Sequence, residues 1–248
     1  LGTRLSEETH LRPKPMVEVG DKPILWHIMK MYERHGFNNF TLALGYKAEV
    51  IKDYFLNYHA RLSDLQINLC SGDVNYSNPI AEDWNVSLIN TGLTTMTGGR
   101  LLRLRSHLEP SGTFMLTYGD GVSDVNIQDL LKFHRSHGRM ATVTAVRPGV
   151  RFGELTIDGS EVTKFQEKPQ GAESWVNGGF FVFEPEVFDF IDGDETMLER
   201  EPLERITEQN QLMAYHHPGY WQCMDTVRDK HKLEELWDSG NALWKGLD

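Results

Sequence analysis

Hydrophobic positions along the chain follow two alternating rhythms. After Asp21-Lys22-Pro23, with proline near a first helical turn, Ile24, Leu25, Ile28, Met31 and Tyr32 recur at helical spacing until Gly36. Residues 40–44 then form a short apolar run of strand length. Val50, Ile51, Tyr54, Phe55 and Tyr58 mark a second helix, and residues 65–70 and 84–90 alternate as strands do. Leu101, Leu104 and Leu108 mark a third helix, begun after Gly98-Gly99. A strand at 113–118 runs into Gly119-Asp120-Gly121. A helix at 126–137 follows, with Asn126 as N-cap and Gly138 as stop, and then a strand at 140–146.

The last third of the chain changes character. Leu155-Thr156-Ile157, Asp158-Gly159 and residues 162–166 read as a β-hairpin. A buried strand at 177–183, helices near 185–191 and 199–209, a strand at 212–216 and a closing helix at 226–239 complete the pattern. This alternation predicts an α/β fold: a Rossmann-like, mostly parallel mixed sheet flanked by helices, with a C-terminal hairpin and helical addition. The chain opens inside the polar loop Leu1-Gly2-Thr3-Arg4, where a βα sheet normally places a strand first. The expectation is therefore one domain over residues 1–248 whose N-terminal strand is missing.

Composition narrows the class. A chain of 248 residues with 6 Trp, 8 Tyr and 12 Phe has enough apolar bulk for a packed core and is not disordered. Twenty-five basic against 36 acidic residues give a net charge of −11, which argues against nonspecific nucleic-acid binding and against anionic membranes. A small phosphorylated substrate needs only a local basic cleft. Cys70 and Cys223 lie far apart and form neither a CxxC pair nor a zinc spacing, which favours a reduced, cytoplasmic protein. No apolar run approaches the ~18 residues of a membrane span, and the polar first residues carry no signal peptide. Walker A, GxGxxG, HExxH and GxSxG patterns are lacking, which removes the commonest nucleotide, zinc and serine-hydrolase readings.

Five segments remain as candidates for chemistry. In Gly2-Thr3-Arg4-Leu5, followed by Lys14 between two prolines, a glycine lets backbone N–H groups approach a phosphate that Arg and Lys neutralise; the same stretch also reads as a solvated loop. Asp120, between glycines at the carboxyl end of a strand, points into the crevice where α/β folds bind ligands, or simply makes an Asp-Gly turn. Asp225 is either a helix N-cap or, paired with Asp120, a second ligand for a hard cation such as Mg²⁺. Glu167 and Asn177 suit sugar hydroxyls and Lys168, before Pro169, suits a phosphate, against a solvated hairpin end. The hydroxyls and glycines of residues 91–100 suit a base or phosphate at a helix start, against a plain capping loop.

Gly2-Thr3-Arg4-Leu5, Lys14-Pro15-Met16, Gly119-Asp120-Gly121, Glu167-Lys168-Pro169, Asn177-Gly178-Gly179 and Asp225-Thr226 occur in one order across the chain. Together they resemble the sugar-1-phosphate nucleotidylyltransferases. Residues 22–29, 96–101 and 217–222 look like the glucose-1-phosphate cytidylyltransferases within that family. The resemblance implies the nucleotide-diphospho-sugar transferase fold, with residues 1–145 mainly nucleotide-binding and 146–248 mainly sugar-phosphate-binding with the C-terminal helices. It implies cytidylyl transfer from CTP to α-D-glucose 1-phosphate, for dideoxysugar and surface polysaccharide (O-antigen) synthesis, by a homo-oligomer. Arg4, Lys14 and Asp120 are then catalytic. Leu1, Gly2, Thr3, Arg4, Lys14, Thr95, Arg100 and Gly119 contact the nucleotide. Glu167, Lys168, Asn177 and Gly178 contact the sugar phosphate, and Asp120 and Asp225 hold Mg²⁺. Thymidylyl or uridylyl transfer stays open, because cytosine presents an N4 donor where uracil and thymine present an O4 acceptor, and one backbone group decides between them. A non-catalytic nucleotide-sugar binding module is the reading from outside enzymology.

Overall fold

The computed structural model describes residues 10–78, 82–148, 154–158, 161–166 and 175–246. Helix α1 (Ile24–Glu33) begins where expected, and Ile24, Leu25, Ile28, Met31 and Tyr32 are all buried. Strand β1 (Asn39–Leu44) follows, then helix α2 (Ala48–Leu56). The single helix expected through Tyr58 breaks at Asn57 and resumes as a short helix, Tyr58–Leu62. The alternating stretch at 65–70 ends earlier, as β2 (Asp64–Ile67), and pairs with β3 (Val74–Ser77), which carries no strong sequence signal. Strand β4 (Asn85–Asn90) lies parallel to β1. Helix α3 (Thr97–Arg103) starts ahead of its two glycines rather than after them. The reason is contact: a Cβ at Gly99 would sit 2.5 Å from the Asp194 carbonyl oxygen, and one at Gly98 2.8 Å from that of Thr196.

Strands β5 (Phe114–Thr117) and β6 (Gly121–Ser123) flank the loop of Asp120. Helix α4 (Ile127–His137) is capped by Asn126, whose side chain accepts from the Asp129 N–H, and stops at Gly138 in the left-handed region. Strand β7 (Ala141–Val146) precedes the hairpin β8 (Glu154–Asp158) and β9 (Glu161–Gln166), which pair antiparallel as the sequence predicts. Strand β10 (Val176–Phe183) leads to a 3₁₀ turn at Pro185–Phe190, then helix α5 (Glu201–Glu208), β11 (Leu212–His217), β12 (Trp221–Cys223) and helix α6 (Val227–Asp238).

The central sheet runs β11-β7-β10-β5. β11 is parallel to β7, and β10 runs against both of its neighbours, so three of the four strands share a direction. Strand β10 is buried on both faces. Phe180 and Val182 pack with α1, α4 and α6, while Phe181 and Phe183 pack with Phe114, Phe188 and α5. Full burial of each such side chain is worth roughly 1.5–3 kcal/mol, so β10 is the rigid member on which the neighbouring loops are hung. The β1–β4 pair has its own core. Phe40, Leu42, Val86 and Leu88 face Leu25, Met29 and Ile51. Both cysteines are free thiols.

Candidate active site

Three segments from distant parts of the sequence meet at one end of the central sheet. The first is the 3₁₀ turn Lys14–Met16, entered from Pro13 in extended conformation and closed by the Met16 N–H on the Pro13 carbonyl at 2.8 Å. Prolines on both sides of Lys14 fix its backbone, so the origin of the ammonium is set. The second is Asp120, between β5 and β6. The third is Asp225, just after β12. Strands β6 and β12 pair antiparallel with Gly121 opposite Cys223, and the Met224 N–H donates to the Asp120 carbonyl at 2.8 Å. That register places the two carboxylates side by side. Gly119 completes the fit: a Cβ there would lie 2.8 Å from Pro15 Cγ, so the glycine lets the lysine turn and the aspartate loop touch.

The Lys14 ammonium bridges both acids, at 2.6 Å from Asp120 Oδ2 and 2.7 Å from Asp225 Oδ1. Burial alone pulls the Lys14 pKa down; the charges and hydrogen bonds of Asp120 and then Asp225 outweigh it, and the net shift is upward. The capping duty at α6 falls on Thr226, not on Asp225. Thr226 Oγ1 accepts from the Asp229 N–H at 3.1 Å, and Asp229 Oδ2 accepts from the Thr226 N–H at 2.9 Å. Asp225 is thereby directed to Lys14 rather than consumed by the helix start.

A cavity of about 200 Å³ opens beside this cluster, lined among others by Tyr118, Asp120, Asn177, Gly178, Trp221 and Asp225. Its opposite wall is neutral. The Asn177 side chain accepts from the Gly179 N–H at 2.8 Å, and Gly179 takes a left-handed conformation that only glycine adopts readily. The Gly178 carbonyl accepts from Trp221 Nε1 at 2.7 Å, and a Cβ on Gly178 would meet Val146 Cγ1 at 2.7 Å. Tyr118 also lines the cavity. Its hydroxyl donates to Glu199 Oε1 at 2.6 Å, while Thr97 Oγ1 donates to Glu199 Oε2 at 2.6 Å. Burial first, and then the Glu199 carboxylate, push the Tyr118 pKa up, so the phenol stays protonated.

The structure therefore brings Asp120, Asp225, Asn177 and Gly178 to one cavity, with Lys14 ion-paired to its two acids and Gly119 against Pro15. Thr95 and Arg100 do not line it. Thr95 is buried, and the Arg100 guanidinium donates to the Leu44 and Leu93 carbonyls and the Thr91 hydroxyl, holding the loop ahead of α3. Leu1, Gly2, Thr3, Arg4, Glu167 and Lys168 lie outside the described residues. Tyr118, Trp221 and Glu199 were missed. Trp221 lies within the 217–222 segment and Tyr118 directly precedes Gly119-Asp120-Gly121, whereas Glu199 sits in an acidic run with nothing to distinguish it. Among the described residues no group of three metal-ligating side chains occurs, and no helix is long and apolar enough to cross a membrane.

The model of the nucleotidyl transferase family matches residues 1–242. A glucose-1-phosphate cytidylyltransferase of Salmonella typhi is 51% identical over 245 residues, covering 99% of this chain and 95% of that protein. A probable glucose-1-phosphate cytidylyltransferase of Bacillus subtilis is 40% identical, covering 98% of this chain and 95% of that one. Among solved structures, HddC from Yersinia pseudotuberculosis shares the fold with a TM-score of 0.68 at 23% identity, over 96% of this chain and 95% of its own. A family model matched along nearly the entire length, on a fold shared with that solved structure, places this chain in the nucleotidyl transferase family.

Proposed function

We infer that the chain transfers the cytidylyl group of CTP to α-D-glucose 1-phosphate, releasing pyrophosphate and forming CDP-glucose. The convergence of Lys14 on Asp120 and Asp225, two acids that line one cavity, supports the reaction type. The identity with the two cytidylyltransferases carries the choice of base and sugar. An oxygen of the sugar phosphate attacks the α-phosphorus in line, and the bond from that phosphorus to the departing pyrophosphate breaks. The attacking oxygen is already an anion, so no general base is needed. Catalysis is then positioning and charge neutralisation.

The donor set fits Mg²⁺. Two carboxylates already converge on one cation, the Lys14 ammonium, and Mg²⁺ typically takes one or two carboxylates with water and phosphate oxygens for the rest. Held by Asp120 and Asp225, the ion supplies charge neutralisation for the phosphates. Lys14, on the family likeness, would stabilise charge near the α-phosphate. Asn177 and Gly178, on the neutral wall, suit the hexose. Arg4 is read as a triphosphate ligand, with Glu167 and Lys168 on the sugar and its phosphate, by family likeness alone. On the same reading residues 1–145 serve mainly the nucleotide and 146–248 mainly the sugar phosphate. The product would feed dideoxysugar and surface polysaccharide synthesis in the cytoplasm.

The experiment is pyrophosphate release with glucose 1-phosphate and Mg²⁺, scanning CTP, UTP, dTTP, ATP and GTP. Turnover concentrated on CTP is expected. Preference for UTP or dTTP moves the assignment to uridylyl or thymidylyl transfer, and nucleotide binding without pyrophosphate release leaves a binding module.

A further inference from the structure

The bridge made by Lys14 has a consequence for how the two carboxylates meet a metal ion. Its backbone is fixed by Pro13 and Pro15, and the Pro15 ring lies against Gly119, so the turn does not shift independently of the Asp120 loop. The mobile part is the four-carbon stem. At its end the ammonium contacts one oxygen of each acid, at 2.6 and 2.7 Å. A divalent ion bound by the same two carboxylates needs oxygens at about 2.0–2.1 Å. An ion bridging those same two oxygens would take the space of the ammonium and repel it as a like charge. The two cations are mutually exclusive at this point. The other groups facing the pair do not change the sign. Asp229 is held by the cap of α6, and the Cys223 thiol donates to Asp225 Oδ2 at 3.2 Å.

We propose that Lys14 is an internal competitor for the metal: the divalent ion binds Asp120 and Asp225 only as the ammonium leaves them, and the released ammonium is then available to phosphate. Metal loading and deployment of the lysine are one event. Because phosphate gives the ammonium a new partner, the metal binds weakly alone and well together with the nucleotide. This rests on the reading of Asp120 and Asp225 as metal ligands given above.

The test measures Mn²⁺ binding to the full chain without nucleotide, by electron paramagnetic resonance of free Mn²⁺. Lys14→Met and Lys14→Gln are expected to bind Mn²⁺ about tenfold more tightly than the parent, a change of about 1.4 kcal/mol. Lys14→Arg, which keeps the charge, should stay near the parent. Equal or weaker binding in both neutral variants, or equal tightening in Lys14→Arg, overturns the proposal. Two neutral variants, each checked by circular dichroism, guard against a folding failure. A second readout separates local displacement from general charge removal. With ¹⁵N-labelled lysine, the Nζ signal that disappears in Lys14→Gln should shift on addition of Mg²⁺; an unmoved signal also overturns the proposal. Adding Asp120→Asn to Lys14→Met should abolish the tight binding. If it does not, the ion sits elsewhere, and it is the metal-ligand reading itself that has failed.

Discussion

Two enclosed polar groups in this molecule were built to opposite ends. Lys14 is paired with two carboxylates that line a cavity, and its charge is held in place. His27 lies on α1 with only 2% of its surface exposed, its ring edge-on to Trp26, Trp237 and Trp244. Its Nε2 lies 2.9 Å from the Val19 carbonyl and its Nδ1 3.4 Å from Trp244 Nε1. One ring nitrogen donates and the other accepts, which is the neutral imidazole. Burial, above all, pushes its pKa down to about 4. The contrast teaches that enclosure alone does not mark a functional site. An aromatic box with matched hydrogen bonds removes charge and makes packing. Opposed charges beside a cavity preserve charge.

The comparison breaks most decisively through Asp120. Asp120→Asn should lower kcat by about 10²–10³-fold, the range for losing one electrostatic stabiliser, with the melting temperature nearly unchanged. Unaltered kcat would remove the distinction between the two sites. Acid should act on the other member. His27 titrates near 4 when folded and near 6.5 when unfolded, so its contribution is present above pH 6.5. That contribution is lost as pH falls from 6.5 through 4, by up to about 3 kcal/mol. Denaturant midpoints at pH 7 and pH 4.5 report it, and the difference should shrink in His27→Gln. Next in size is Gly20→Ala. Gly20 has a φ of 65°, and an added Cβ would overlap the Trp237 ring that flanks His27. A cost of about 1–3 kcal/mol is expected in chemical denaturation, with kcat and KM unaffected. The smallest effect is on the neutral wall of the cavity. Asn177→Ala should raise KM for glucose 1-phosphate about fivefold, one hydrogen bond's worth, and leave KM for CTP alone. Equal changes in both would shift Asn177 from the sugar side to shared scaffolding.

Much of this was legible in the chain because the signals were local. The apolar spacing of α1, the Asn126 cap of α4 and the hairpin at 154–166 depend on neighbours in sequence. The motif residues Lys14, Asp120 and Asn177 also declared their residue types and their proline and glycine settings. What could not be read was whatever depended on a distant contact. Asp225 reads as a helix cap or as a cation ligand, and only the reciprocal bonds of Thr226 and Asp229 show that the cap lies one residue later. Arg100 reads as a nucleotide contact, and nothing in its own neighbourhood in sequence announces that its guanidinium bonds the carbonyls of Leu44 and Leu93. The start of α3 was misjudged because glycine there serves close approach to Asp194 and Thr196, nearly a hundred positions away.

The span of the Lys14–Asp225 bridge also bears on how the protein is born. The two partners are 211 positions apart. A ribosome adding about 5–20 residues per second releases Lys14 from the exit tunnel tens of seconds before Asp225. Through that interval the growing chain has helices and strands to assemble but only one of the two acids that grip the lysine. The bridge therefore closes late, and a chain cut short before β12 would leave Lys14 with Asp120 as its one acidic partner of the two.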